Sequence, residues 1–129
     1  MTRQRAAGPL RAGIVLVTDS ASQVHATMPV AADELVFLGH YKDFPILPGV
    51  CLVDCAQRVA LESLARKEIK LRLAEVCSAR FLAPVFPGDE LTVLLDWDAG
   101  AAGRVARAEV STARGAAARL KLRFEEVDG

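Results

Sequence analysis

His40 and Asp54 place an imidazole and a carboxylate fourteen positions apart (54 − 40) on either side of a proline-rich run. The run reads Gly39-His-Tyr-Lys-Asp-Phe-Pro-Ile-Leu-Pro-Gly-Val-Cys-Leu-Val-Asp54. An imidazole can take up a proton near neutral pH and a carboxyl group can deliver one. Pro45 and Pro48 stiffen the connector, because proline restricts its own backbone and that of the residue before it. Amides at the start of a helix favour developing negative charge. A base and an acid held beside such a start are the parts needed to move protons on a carbonyl compound.

The segments around this run are those that must position it. Ile14–Val17 and Val24–Val30 read as strands joined by the polar turn Thr18–Gln23. Ala31–Leu38 reads as a short helix or turn, and Gly39–Pro48 as extended chain. From Val50 the period changes. Val50, Val53, Gln57, Ala60, Leu61 and Leu64 recur at steps of three and four, and Cys51, Leu52, Cys55, Ala56 and Val59 make the other faces apolar too. A helix apolar nearly all round is expected to be buried, with Glu62 to Lys70 returning it to the surface. Four strand-like runs follow, Leu71–Phe81, Glu90–Trp97, Arg104–Thr112 and Ala118–Val127. They are broken by Pro87-Gly88-Asp89, by residues 98–103 and by Arg114-Gly115. One buried helix with an antiparallel sheet wrapped over it is an α+β pattern.

Length and composition set the outer limits. The 129 residues suffice for one domain with one core, and 52% hydrophobic residues suit a dense one. Residues 1–11 read as a basic leader and 12–129 as the domain. Sixteen basic and sixteen acidic residues balance to +0, which argues against nucleic acid as a partner. The apolar runs are too short for a membrane span or a signal peptide, so the expected location is cytoplasmic. Three cysteines make no disulfide framework, and Cys51 and Cys55 read as small buried hydrophobes. No CxxC or Cys/His cluster suggests a metal site. His25 reads as an ordinary strand residue, Asp89 as a turn cap and Trp97 as packing. Arg58, Arg66, Lys67 and Arg80 read as a solvated face.

The run from Gly39 to Asp54, with its P-x-x-P-G at Pro45–Gly49, resembles the signature of hot-dog-fold 3-hydroxyacyl-[acyl-carrier-protein] dehydratases of the FabZ and FabA types. A second block, ARFLAPVFPGDELTV from Ala79 to Val93, resembles that family's strand–turn–strand ending in P-V-x-P-G-D-x-L. Two blocks in the right order around a helix imply the hot-dog fold, an antiparallel sheet around one long central helix. The resemblance implies that His40 takes the proton α to a thioester carbonyl and that Asp54 serves the leaving hydroxyl as acid. The Gly49 amide, following Pro48, would bind the thioester oxygen, while Gln57 reads either as a hydrogen-bonding residue of the site or as a structural residue of the helix face. It also implies a substrate carried on the phosphopantetheine of an acyl carrier protein, an acyl tunnel lined by Leu47 and Leu52, and no metal or redox cofactor. The expected assembly is a homodimer, or a heterodimer with a homologous hot-dog subunit.

The chain departs from the family pattern in informative places. Tyr41-Lys42-Asp43 stands where the family has F-P-G, Gln57 follows the acid by three residues instead of four, and the acid is Asp, as in the FabA type. These departures point to a divergent member serving a specialised acyl chain, such as a polyketide or polyene intermediate. Two other readings remain open on the sequence. One is a hot-dog acyl thioesterase, and the other is a non-catalytic or half-site subunit of a heterodimeric dehydratase.

Overall fold

A computed structural model describes residues 13–30, 47–98 and 104–127. The expected leader, the expected short helix or turn at Ala31–Leu38 and His40 itself lie outside these residues. The described elements are β1 (Val15–Asp19), β2 (Gln23–Pro29), α1 (Gly49–Arg66), β3 (Leu71–Phe81), β4 (Glu90–Trp97), β5 (Val105–Thr112) and β6 (Gly115–Glu126). The strands form one sheet in the order β1-β2-β4-β5-β6-β3, with every neighbouring pair antiparallel. After α1 the chain therefore crosses to the far edge of the sheet before it returns to the middle as β4. This is the expected α+β hot-dog architecture, with one helix among the described residues held against an antiparallel sheet.

Strand alternation decides which side of the sheet meets the helix. Ala106, Ala108 and Val110 of β5 are buried, while Arg107 and Glu109 between them face outward. In β6, Leu120, Leu122 and Phe124 point inward and Arg119, Lys121 and Arg123 outward. Ladder register matches these faces across strands: Ala106 pairs with Leu122 and Ala108 with Leu120. Trp97 packs its ring on Phe124 at a centroid distance of 5.4 Å, which confirms its packing role.

The helix departs from expectation in an instructive way. Its buried residues form one stripe: Cys51, Leu52, Cys55, Ala56, Val59, Ala60, Ser63 and Leu64. Val50 is 71% exposed, and Val53 and Leu61 are only partly buried. The sheet of one chain covers one side of a helix, so apolar residues on the other side stay uncovered. Cys51 and Cys55 are both buried, as the sequence suggests. At the other end of α1, Lys67 Nζ and Ser63 Oγ both donate to Asp19 Oδ1 at 2.6 Å, tying the helix to β1.

Element boundaries shift modestly from the sequence reading. β6 begins at Gly115, earlier than the expected Ala118. Thr112 pairs with Gly115 around Ala113 and Arg114, and Gly115 adopts a φ of 122° that favours glycine. Alanine and glycine have weak strand preference. Pairing with β5 overrides it here, which a local pattern does not reveal.

The facing of β6 and β4 gives a testable contrast. Leu122→Ala, at a fully buried position, is expected to lower unfolding free energy by ~2–5 kcal/mol. Leu94→Ala on the outer face, 43% exposed, is expected to change it by about 0.5 kcal/mol or less. Urea titration of both variants measures this, and equal losses would contradict the assignment of faces.

Candidate active site at the helix N-terminus

The start of α1 is built by its proline and glycine. Pro48 caps the helix in extended conformation (φ −60°, ψ 145°) and offers no side-chain cap, and the first turn holds no acidic residue. The first amides of a helix lack intrahelical acceptors, so the Gly49 N–H at the Pro48–Gly49 step can meet a ligand oxygen. Leu47 just before the cap donates its N–H to the carbonyl of Val85 at 2.8 Å. Leu47 belongs to the first sequence block and Val85 to the second. This bond joins the two blocks across the fold.

Gly49 lies in a close approach. A Cβ there would come within 3.0 Å of the Phe81 ring, which lies over the helix start from the end of β3. Phe81 was not singled out as a site residue from sequence. Its only signal there is its place in the second block, three residues before Pro84. Leu47, Val50, Leu52, Phe81, Leu82 and Pro84 line an open apolar groove beside Gly49. Leu47 and Leu52, the expected tunnel residues, are both on it.

Asp54 follows Gly49 by five residues (54 − 49), ~7.5 Å along the helix axis. It shares the helix face opposite the buried stripe with Val50, Gln57 and Leu61. Its carboxyl is nevertheless partly desolvated. Oδ2 is buried and has no hydrogen-bond partner among the described residues. Burial pushes the Asp54 pKa above the ordinary carboxylate value, and the charge of Arg58 one turn on partly offsets this. The neighbouring Cys51 thiol is pushed up to about 11, by burial first and by the Asp54 charge second. Such a thiol stays protonated and is not a nucleophile.

Of the residues expected at the site, the structure brings Pro48, Gly49, Asp54 and Gln57 onto one helix start and the face that follows it. Gln57 is half-buried, one helical turn after Asp54. Asp89 caps the turn of the second block, accepting the Phe86 N–H at 2.8 Å. Among the described residues no helix is long and apolar enough to cross a membrane.

Known proteins resemble the chain at several levels. It is 33% identical over 93 residues to a 3-hydroxyacyl-[acyl-carrier-protein] dehydratase FabZ of Polynucleobacter asymbioticus, a match spanning 69% of this chain and 62% of that protein. It is 28% identical over 113 residues to the FabZ of Listeria welshimeri, spanning 84% and 69%. Among solved structures, the dehydratase heterocomplex ApeI:P from Xenorhabdus doucetiae superposes with a TM-score of 0.71 at 18% identity, over 87% of this chain and 97% of that one. A hypothetical thioesterase from Streptococcus pneumoniae TIGR4 gives 0.71 at 12% identity, over 91% and 93%. At these identities the structural likenesses speak for the fold alone. The sequence model of the ApeI-like family, described as ApeI dehydratase, matches residues 17–119 and so takes in both sequence blocks with the helix between them. The chain belongs to that family, a divergent branch of the hot-dog dehydratases.

Proposed function

We propose that the chain dehydrates a 3-hydroxyacyl thioester borne on the phosphopantetheine of an acyl carrier protein, giving the trans-2-enoyl thioester. The observation that carries this reading is Asp54. A carboxyl group kept towards its neutral form by burial, five residues into a helix that starts beside an apolar groove, suits a proton donor.

In this mechanism His40 removes the proton on the carbon next to the carbonyl. The electron pair of the broken C–H bond moves onto the thioester oxygen, which the Gly49 N–H at the helix start stabilises. The pair then returns to form the carbon–carbon double bond as the C3–O bond breaks. Asp54 protonates the leaving hydroxyl, which departs as water. Return of the proton from His40 to Asp54 through solvent completes the cycle. Both steps move protons only, so the chemistry calls for neither a metal nor a redox cofactor.

The uncovered face of α1 supports assembly with a second hot-dog subunit, either another copy or a homologue. Asp54 and Val50 lie on that face, and the inner side of the edge strand β3 exposes Val76 (42%) and Phe81 (52%) in register with buried residues of β6. The dehydratase ApeI:P is a complex of two kinds of chain. A divergent acyl chain, of polyketide or polyene type, fits the altered residues Tyr41-Lys42-Asp43. The rival reading is thioester hydrolysis, which the fold likeness to a hypothetical thioesterase keeps in view. A carboxylate that activates water must be ionised, and burial of Asp54 favours the opposite form.

Mass spectrometry of a 3-hydroxyacyl-carrier protein tests the reaction. Wild type is expected to remove one water. His40→Ala and Asp54→Ala are expected to slow this ~10²–10⁴-fold, as for loss of a general base or acid. Release of free acid and thiol would make the chain a thioesterase. Turnover seen only after a homologous subunit is added would make it half of a heterodimeric site.

Asp54 also predicts a trade between function and stability. Its folded pKa lies above the ordinary 3.8, so the folded chain binds this proton more tightly than the unfolded chain. Folding is therefore opposed at pH values above the raised folded pKa, where burial penalises the charged form. That opposition fades as the pH falls from the raised folded value to 3.8. Asp54→Asn is expected to melt above wild type at neutral pH and to lose this advantage towards pH ~4. Paired thermal melts across that range check it, and a lower melting point at neutral pH would show the carboxylate to be held by favourable contacts.

A further inference from the structure

The loop between β3 and β4, residues 82–89, is tied to more of the fold than a connector requires. Its first amides, Leu82 N and Ala83 N, donate to the carbonyl of Ala117 in β6 at 2.8 and 3.3 Å. Its middle accepts the Leu47 N–H at Val85 O. Its end exchanges two bonds with Val30, through Val30 N to Asp89 O at 2.8 Å and Gly88 N to Val30 O at 2.7 Å. Val30 and Leu47 flank, in sequence, the segment that holds His40. The described chain on both sides of that segment is thus anchored to one loop.

A single ion pair locks the loop. Asp89 Oδ2 accepts from Phe86 N–H at 2.8 Å and from Arg114 Nη2 at 2.6 Å, while Oδ1 accepts from Arg114 Nη1 at 2.9 Å. Arg114 also reaches the Pro84 carbonyl at 3.4 Å and lies 5.1 Å above the Phe86 ring. Two nitrogens meeting two oxygens in a planar fork fix an angle as well as a distance. Arg114 sits in the two-residue turn between β5 and β6, anchored by the ladders on both sides. With the Arg114 side chain half exposed, the pair contributes little stability by itself. Its reach into the loop backbone instead defines where Val85 O stands, and Val85 O defines where Leu47 leads into Pro48 and Gly49.

We infer that Asp89 and Arg114 are positioning residues for the start of α1: their bidentate pair locks the 82–89 loop, which through the Leu47–Val85 bond aims the Gly49 amide at the reacting oxygen. The inference rests on the proposed dehydration for its catalytic meaning, whereas the mechanical coupling can be read without turnover. Misaiming a positioned group by about 1 Å costs on the order of 10²-fold in rate. Arg114→Gln and Asp89→Asn are therefore expected to lower kcat ~10–100-fold while KM changes less than about twofold. Arg114→Lys, which keeps the charge and loses the fork, is expected to fall between these and wild type. Arg119→Gln, which breaks the exposed Arg119–Glu109 pair on the outer sheet face, is the control and is expected to leave kcat unchanged.

Hydrogen exchange at the Leu47 amide, followed by NMR in the full-length assembly, gives the second readout. It is expected to accelerate about tenfold or more in Arg114→Gln and Arg114→Lys and to stay at the wild-type rate in Arg119→Gln. Unchanged Leu47 exchange in both Arg114 variants would overturn the inference, as would an unchanged kcat with a lowered melting temperature. If wild type fails to dehydrate any carrier-borne substrate, the proposed reaction falls, and the Leu47 exchange alone decides whether the pair positions the helix start.

Discussion

The rest of the structure depends on the burial of one stripe of α1 against the inner face of the sheet. Cys51, Leu52, Cys55, Ala56, Val59, Ala60 and Leu64 meet the inward-facing residues of the strands, among them Met28, Leu91, Leu95 and Phe124. Small residues along the stripe, two cysteines and two alanines, let the helix approach the strands closely. That contact sets the axis of α1, and the axis in turn sets where its first amides point and which face carries Asp54. The Asp19–Ser63–Lys67 cluster secures the far end, while the loop at residues 82–89 secures the start.

The opposite face of the same helix carries the carboxyl on which the proposed reaction rests. Val50 and Asp54 lie where their own sheet gives no cover, yet Asp54 Oδ2 is out of water and lacks a partner among the described residues. Desolvating a carboxyl without pairing it weakens the fold. A core side chain would not be chosen for that position on grounds of packing. A group whose proton must be available for transfer gains from the same desolvation, since its pKa moves towards the working range. In the proposed reaction, stability and proton delivery thus pull in opposite directions on Asp54.

The second sequence block acts on the first through the backbone. Phe81 covers Gly49, and Val85 holds Leu47. The absence of a side chain at position 49 therefore leaves room for an aromatic ring over the helix start. The P-G-D turn contributes Asp89, whose cap of Phe86 N–H and pair with Arg114 give the loop one shape. The two blocks are apart in sequence and are joined by few, directed contacts.

Much of this was legible from the sequence because it is local. The step of three and four after Val50, the alternation in the strands, and the prolines and glycine around the helix start each report backbone preference within a few residues. The His40 and Asp54 block and the P-G-D block carried the family resemblance in the same local way. Other features belonged to the tertiary structure alone. Apolar residues ring α1, so periodicity could not say which side is buried; the sheet decided it. The placement of β3 at the far edge, the early start of β6 at Gly115, Phe81 against Gly49, Val85 on Leu47 and the desolvated Asp54 carboxyl all follow from contacts between residues distant in the chain. Local preference records how a segment bends, whereas burial and electrostatics depend on what packs against it, and only the assembled sheet and helix specify that.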